Sequence, residues 1–191
     1  MQWIVEGLKL LENAGESEAL VKDVPLDHGV FLVPSFTGLG APYWDANARG
    51  AILGLTRDSG ISTIVAAALQ SVGYQTKDLQ KAMEGDGLRP SILRVDGGMA
   101  NNNWAMAFLA NILGASVERP TLTETTSLGV AYLAGLQTGV YESTAQLASM
   151  WKSDRRFEPT MSSEERNDLY AKWLHCIAQV RLSNSNDGES E

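Results

Sequence analysis

The sequence predicts an α/β fold in which a sheet is covered by helices. Three observations carry that expectation. Short apolar runs, Val30-Phe31-Leu32-Val33 and Ser91-Ile92-Leu93-Arg94-Val95, suit strands buried among neighbours. Around them, apolar residues recur at spacings of three and four, the period of a helix with one covered face. The run at 91–95 then leads through Gly97-Gly98 into such a helix, the alternation typical of layered α/β domains.

Taken in order, Ile4, Val5, Leu8 and Leu11 predict an opening helix that ends near Glu12 to Gly15, with a polar, acidic connection after it. This helix has no cap and no lead-in, as though entered part-way along. Pro34 closes the first strand because it cannot donate to a ladder. Residues 35–56 hold four glycines and a proline among Phe36, Tyr43, Trp44 and Arg49. That mixture predicts a shaped loop, neither strand nor helix, either packed under the fold or functional.

Ser62 or Thr63 is expected to cap a long helix from Ile64 to Met83, about 30 Å at 1.5 Å per residue. Gly73 inside it costs stability, and close approach of another element is a reason to keep it. A helix through Trp104, Phe108, Leu109, Ile112 and Leu113 stops at Gly114. Ser116 to Arg119 reads as a short strand closed by Pro120. Thr126 or Ser127 starts a helix to Gly139 whose Gly129, Ala131, Ala134 and Gly135 suit close packing on a neighbour. A shorter helix follows Ser143, and Ser162 with Glu165 forms a capping box for a last helix to about Arg181. These elements make one domain over residues 1–182, followed by a polar, acidic tail at 183–191 expected to be disordered.

Composition narrows the function. A formal charge of −8 in 191 residues argues against a nucleic-acid partner, which needs a basic face. No apolar run approaches the roughly 18 residues of a membrane span, and no signal peptide is visible at the start. Cys176 is the single cysteine and cannot form an internal disulfide, so a reducing cytoplasm fits; on a helix it reads as a small buried hydrophobe. His28 and His175 stand apart from any cluster with ligand spacing, so no metal site is expected.

The stretch Arg94-Val95-Asp96-Gly97-Gly98-Met99-Ala100-Asn101-Asn102-Asn103-Trp104 carries the chemistry. A strand, a glycine turn and a helix N-terminus gather unpaired N–H groups and a positive dipole end. Paired glycines also let a flat ligand approach the backbone, so the stretch predicts a nucleotide pocket. Two plainer uses remain open: a tight turn for the glycines, and an N-cap for one asparagine.

Four blocks resemble the FGGY carbohydrate kinase family, and its glycerol-phosphorylating branch in particular. They are Gln2-Trp3; Val33-Pro34-Ser35-Phe36-Thr37-Gly38-Leu39-Gly40-Ala41-Pro42-Tyr43-Trp44-Asp45 continuing to Leu55-Thr56-Arg57; Arg94-Val95-Asp96-Gly97-Gly98; and Val117-Glu118-Arg119-Pro120 with Gly129-Val130-Ala131-Tyr132-Leu133-Ala134-Gly135-Leu136. The resemblance implies the carboxyl-terminal domain of a ribonuclease H-like fold of the actin and hexokinase type, its sheet flanked by helices and lacking its first strands. It implies ATP and Mg²⁺ as cofactors, glycerol as substrate, an amino-terminal kinase domain as the missing partner, and a homo-oligomer at full length. By position, Gly97 and Gly98 resemble the backbone contact to the nucleotide, Asn102 the side chain at the adenosine end, and Gln2 a further nucleotide contact. No residue here matches the family's catalytic Asp, since Asp45, Asp58 and Asp96 stand in other contexts. The chain alone is therefore expected to hold half a nucleotide pocket and to be inactive. Other outcomes the resemblance leaves open are a piece of another FGGY sugar kinase and a non-catalytic nucleotide-binding domain.

Overall fold

A computed structural model describes residues 1–182; the expected acidic tail at 183–191 lies outside the described residues. The fold is built around α2 (Ile61–Gly85), 25 residues and about 37 Å long. Its inward face buries Val65, Leu69 and Tyr74, among others. Gly73 lets α3 (Asn103–Leu113) lie close, since a Cβ there would meet the ring of Phe108 at 2.8 Å. Tyr74 lies with its ring centroid 5.7 Å from Phe31, 5.2 Å from Phe108 and 5.1 Å from Trp173, joining the first strand, α3 and α6 (Ser163–Leu182) in one aromatic cluster. The helix begins at Ile61 with Gly60 as its N-cap, in place of the expected Ser62 or Thr63, which lie inside its first turn.

Two small sheets flank this centre. In one, β1 (Phe31–Val33) pairs antiparallel with β2 (Ala51–Leu53), Phe31 opposite Leu53 and Val33 opposite Ala51. The glycine-rich stretch expected to be all loop thus contains a strand. Its three apolar residues follow Arg49-Gly50 and answer the fully buried β1, a pairing that local glycine content hides. In the other sheet the order is β3-β4-β5: β3 (Ile92–Arg94) runs parallel to β4 (Ser116–Pro120), and β4 antiparallel to β5 (Ser153–Phe157).

Three expectations need correction here. The 91–95 strand is not buried: β3 lies at the sheet's edge, with Ile92 41% exposed. An apolar run states affinity for cover, not how many neighbours provide it. β5 was not expected, because Ser153-Asp154-Arg155-Arg156-Phe157 buries only Phe157 and its charges pair across the ladder, Arg119 with Asp154 at 2.6 Å and Arg156 with Glu118 at 3.4 Å. The opening is a π-helical turn, Trp3–Gly7, and not a long helix. The acidic connection after it instead folds into a 3₁₀ turn at Ala14–Glu16 and α1 (Ser17–Val21), with Val21 fully buried.

The remaining helices stand close to their expected bounds. Gly114 ends α3 at φ 66°, its N–H donating to the Ala110 carbonyl at 2.9 Å. α4 (Thr125–Gln137) and α5 (Thr144–Met150) follow, the latter capped by Ser143. In α6 the capping box closes both ways: Ser162 Oγ accepts the Glu165 N–H at 3.2 Å, and Glu165 Oε2 accepts the Ser162 N–H at 3.0 Å. The small residues of α4 do not line a helix contact. Only Gly135 is buried, against the Tyr141 ring, and a Cβ at Gly129 would meet nothing within 4 Å. Cys176 is buried, and burial pushes its thiol pKa up. No described helix is long and apolar enough to cross a membrane.

Candidate functional site

Val95 carries the β3 pairing one residue further, donating to the Glu118 carbonyl at 3.0 Å. The chain then turns at Gly97, whose φ of 79° is a conformation that side-chain-bearing residues rarely adopt. The turn is tied to the segment before α4 in two places. Gly97 N–H donates to the Thr123 carbonyl at 2.8 Å, and the Thr125 hydroxyl donates to the Asp96 carboxylate. A short 3₁₀ turn, Gly98–Asn101, leads into α3.

Asn102 is the N-cap of α3. Its Oδ1 accepts the Ala105 N–H at 2.9 Å, and its Nδ2 donates to Ser17 Oγ at 3.1 Å. The plainer use of that asparagine is thus realised, and it brings α1 alongside. Glu18 follows suit: its carboxylate accepts the Asn103 N–H at 2.8 Å and Asn103 Nδ2 at 3.0 Å. From the other side Arg119 donates to the Ala100 carbonyl at 2.9 Å and to Asn103 Oδ1 at 3.2 Å, and its remaining nitrogens hold Asp154. The turn is therefore clamped between a carboxylate from α1 and a guanidinium from β4.

Between this turn and the corner at Ala14, Gly15 and Ser17 lies a cleft of about 320 Å³, lined also by Met1, Glu18, Leu69, Gly98, Met99, Asn101 and Asn102. That volume is at the small end of the range for small-molecule sites. Leu69 and Met99 give it apolar walls, and polar groups enter from Ser17, Glu18 and Asn102. A Cβ at Gly98 would meet nothing within 4 Å, so a ligand can reach the backbone there. Of the expected site residues, Gly98 and Asn102 line the cleft together, and Gly97 shapes the turn beside them. Gln2 does not join them: its amide donates to Glu6 at 2.9 Å on an exposed face, and Met1 lines the cleft in its place. Ser17 and Glu18 were missed. They lie 85 residues from their partners in sequence, and the one available signal was the Asn13-x-x-Glu16-Ser17 pattern of a capped turn. Among the described residues no group of three His, Cys, Asp or Glu side chains could hold a metal ion.

A model of the FGGY family of carbohydrate kinases, C-terminal domain, matches residues 1–138. The chain belongs to the FGGY family of carbohydrate kinases. This FGGY chain is 62% identical over 183 residues to a glycerol kinase of Alteromonas mediterranea, covering 96% of itself and 37% of that relative. It is 52% identical over 180 residues to glycerol kinase 2 of Thermotoga maritima, covering 94% and 36%. The chain thus spans little more than a third of the length of these relatives. Among solved structures, a Plasmodium falciparum glycerol kinase with ADP superposes with a TM-score of 0.83 at 31% identity, over 93% of this chain and 36% of that one. A xylulose kinase from Lactobacillus acidophilus matches with a TM-score of 0.76 at 20% identity, over 98% of this chain and 38% of that one, which establishes the shared fold. That fold is the ribonuclease H-like, actin and hexokinase type expected from the sequence.

Proposed function

We propose that this FGGY chain is the nucleotide-holding, carboxyl-terminal part of a glycerol kinase, which at full length moves the γ-phosphate of ATP to glycerol. One observation carries the reading: high identity to glycerol kinases along nearly the whole chain. The cleft suits an adenosine moiety, with Leu69 and Met99 to cover a flat base and Asn102 Nδ2 beside it as a donor.

In the transfer, a glycerol hydroxyl oxygen attacks the γ-phosphorus while the bond to the β–γ bridging oxygen breaks. ADP leaves, and the hydroxyl proton passes to a base. Mg²⁺, when bound, offsets charge on the phosphates. We read no described residue by the cleft as the base, and among the described residues no group of three His, Cys, Asp or Glu side chains could hold a cation there. Glu18 has both oxygens engaged by Asn103, Asp96 accepts from Thr125, and Asp45 accepts the N–H groups of Asn47 and Ala48 at 3.1 Å each. The role left to the chain is to bind and orient the nucleotide. The base, the phosphate loop and the glycerol contacts belong to the upstream kinase portion, its partner in the working enzyme.

Calorimetric titration with ADP is expected to show binding by the chain, with no phosphorylation of glycerol from ATP. Co-expression with the upstream portion of a glycerol kinase is expected to restore transfer to glycerol and not to pentoses. Turnover of glycerol by the chain alone would overturn this division of labour. Restored transfer to a pentose instead would assign the chain to another FGGY kinase.

A further inference from the structure

Where the loop before β1, the second half of α3 and the start of α6 meet, the surface opens into a hollow of about 440 Å³, within the range of small-molecule sites. It shares no lining residue with the candidate cleft. Asn111, which faces it, stands about 14 Å further along α3 than Asn102. Leu26, Met161 and Leu169 form an apolar wall, and Asp27, Glu165 and Asp168 an acidic one. A single ammonium answers these three carboxylates: Lys172 Nζ lies 2.7 Å from both Asp27 and Asp168. Glu165 accepts the Ser162 N–H through Oε2 alone, and its hydrogen bonds with Ser162 hold its carboxyl below the ordinary range, so that it is charged at neutral pH.

The decisive group is Asn111, only 7% exposed. Its Oδ1 accepts the Thr160 N–H at 2.6 Å and the Met161 N–H at 3.0 Å, which fixes the orientation of the amide. Its Nδ2 donates to none of the described residues, yet it is not sealed in the core, so it opens on the hollow. A nearly buried donor without an acceptor is costly to leave unmade, and a ligand's oxygen would satisfy it. Among the described residues no three His, Cys, Asp or Glu side chains could hold a metal ion, so the acidic wall calls for an organic cation. We propose that this hollow binds a small organic cation, its ammonium against Glu165 and Asp168, a neutral oxygen acceptor on Asn111 Nδ2, and an apolar arm along Leu26, Met161 and Leu169. A ligand carboxylate is excluded, because it would meet like charges on the acidic wall.

The test is an amide chemical-shift titration of the isotopically labelled chain with leucinamide, whose ammonium, carbonyl and isobutyl group match the three features. It is run at about pH 6.5, below the ordinary α-amino pKa of about 7.7–8.0. Leucinamide is expected to give saturable shifts at the Asn111 side-chain amide, Met161 and Leu169, weakening as salt is added. 3-Methylbutylamine, which lacks the carbonyl, should bind about tenfold more weakly, the worth of one hydrogen bond. N-acetylleucinamide, without the charge, and leucine, with a carboxylate, should leave the hollow unmoved. Glu165→Gln keeps the capping box and should weaken leucinamide about threefold to fivefold. Asn111→Asp keeps the Oδ1 contacts and should abolish the preference for leucinamide over the simple amine. No saturable shift with leucinamide, equal binding of N-acetylleucinamide, or equal binding of 3-methylbutylamine by the unaltered chain would each overturn the proposal. Those comparisons decide the matter by themselves if Asn111→Asp does not fold.

Discussion

α3 and α4 are alike in length, each carries several large apolar residues, and they are opposite in fate. Of the 11 residues of α3, eight are buried, and both its ends are closed, by Asn102 and by Gly114. Of the 13 residues of α4, only Gly135 is buried, while Val130 is 65% and Leu133 69% exposed. Composition therefore says that a helix seeks cover, and position in the fold says whether it finds any. α3 sits between α2, α6 and β4; α4 has the glycine turn at one end and the small α5 cluster along its side. A helix of that length gains little stability from its own hydrogen bonds, so α4 is the part of this chain most in need of a neighbour. The difference maps onto function: α3 sets the candidate cleft rigidly, and α4 presents a surface.

The largest expected effect lies in α3. Phe108→Ala should cost about 3–5 kcal/mol in urea unfolding, the usual penalty for removing a buried aromatic, whereas Leu133→Ala should fall within about 0.5 kcal/mol. Equal losses would break the contrast. Next comes Asp78, 2% exposed, which helps to seat the helices around α3 by accepting from Tyr170 at 2.7 Å and Trp173 Nε1 at 2.9 Å.

Burial pushes the Asp78 carboxyl above its ordinary 3.8, opposed by the hydrogen bonds from Tyr170, Trp173 and Tyr43. A folded-state value above the unfolded one means that the folded chain holds the proton more tightly. Its contribution to stability is thus full below pH 3.8 and is lost as pH rises through the folded value. Asp78→Asn removes this titration but turns an amide N–H toward donors, a cost of about 1–3 kcal/mol at neutral pH. The gap in urea midpoint between the two proteins should widen as pH falls toward 3.8, since only the unaltered chain gains from protonation. A pH-independent gap would show that burial does not govern this carboxylate.

Smaller again is Asn102→Ala, which should cost about 1 kcal/mol as a lost N-cap and weaken ADP binding at the same time. A stability loss with unchanged ADP affinity would reduce that asparagine to a capping residue. Smallest in stability is Leu133→Lys, expected to leave the urea midpoint in place while lowering self-association in sedimentation, because an exposed apolar face invites contact. A midpoint that drops would mean α4 is already covered within the chain.

The buried helices were legible because their period is local. Residues 64–83 and 104–113 show it plainly, and Ser162 with Glu165 announces α6 within four residues. What escaped depends on partners far away in sequence. β5 is mostly charged and owes its place to β4, some 35 residues earlier. β3 looked like an interior strand because apolar residues are written the same way at an edge. The site divided likewise. Gly98 and Asn102 could be read from their own neighbourhood, but the Ser17 and Glu18 side of the cleft could not. Gln2 matched a familiar position, yet here its amide turns to Glu6.

Thr125, the first residue of α4, holds Asp96, and the carbonyl two residues earlier holds Gly97. Exposed helix and glycine corner are thus spliced at a single joint. A body that settles on Val130 and Leu133 grips a handle whose other end is the corner, so that restraint applied to the outside of the protein bears on the turn beside the candidate cleft.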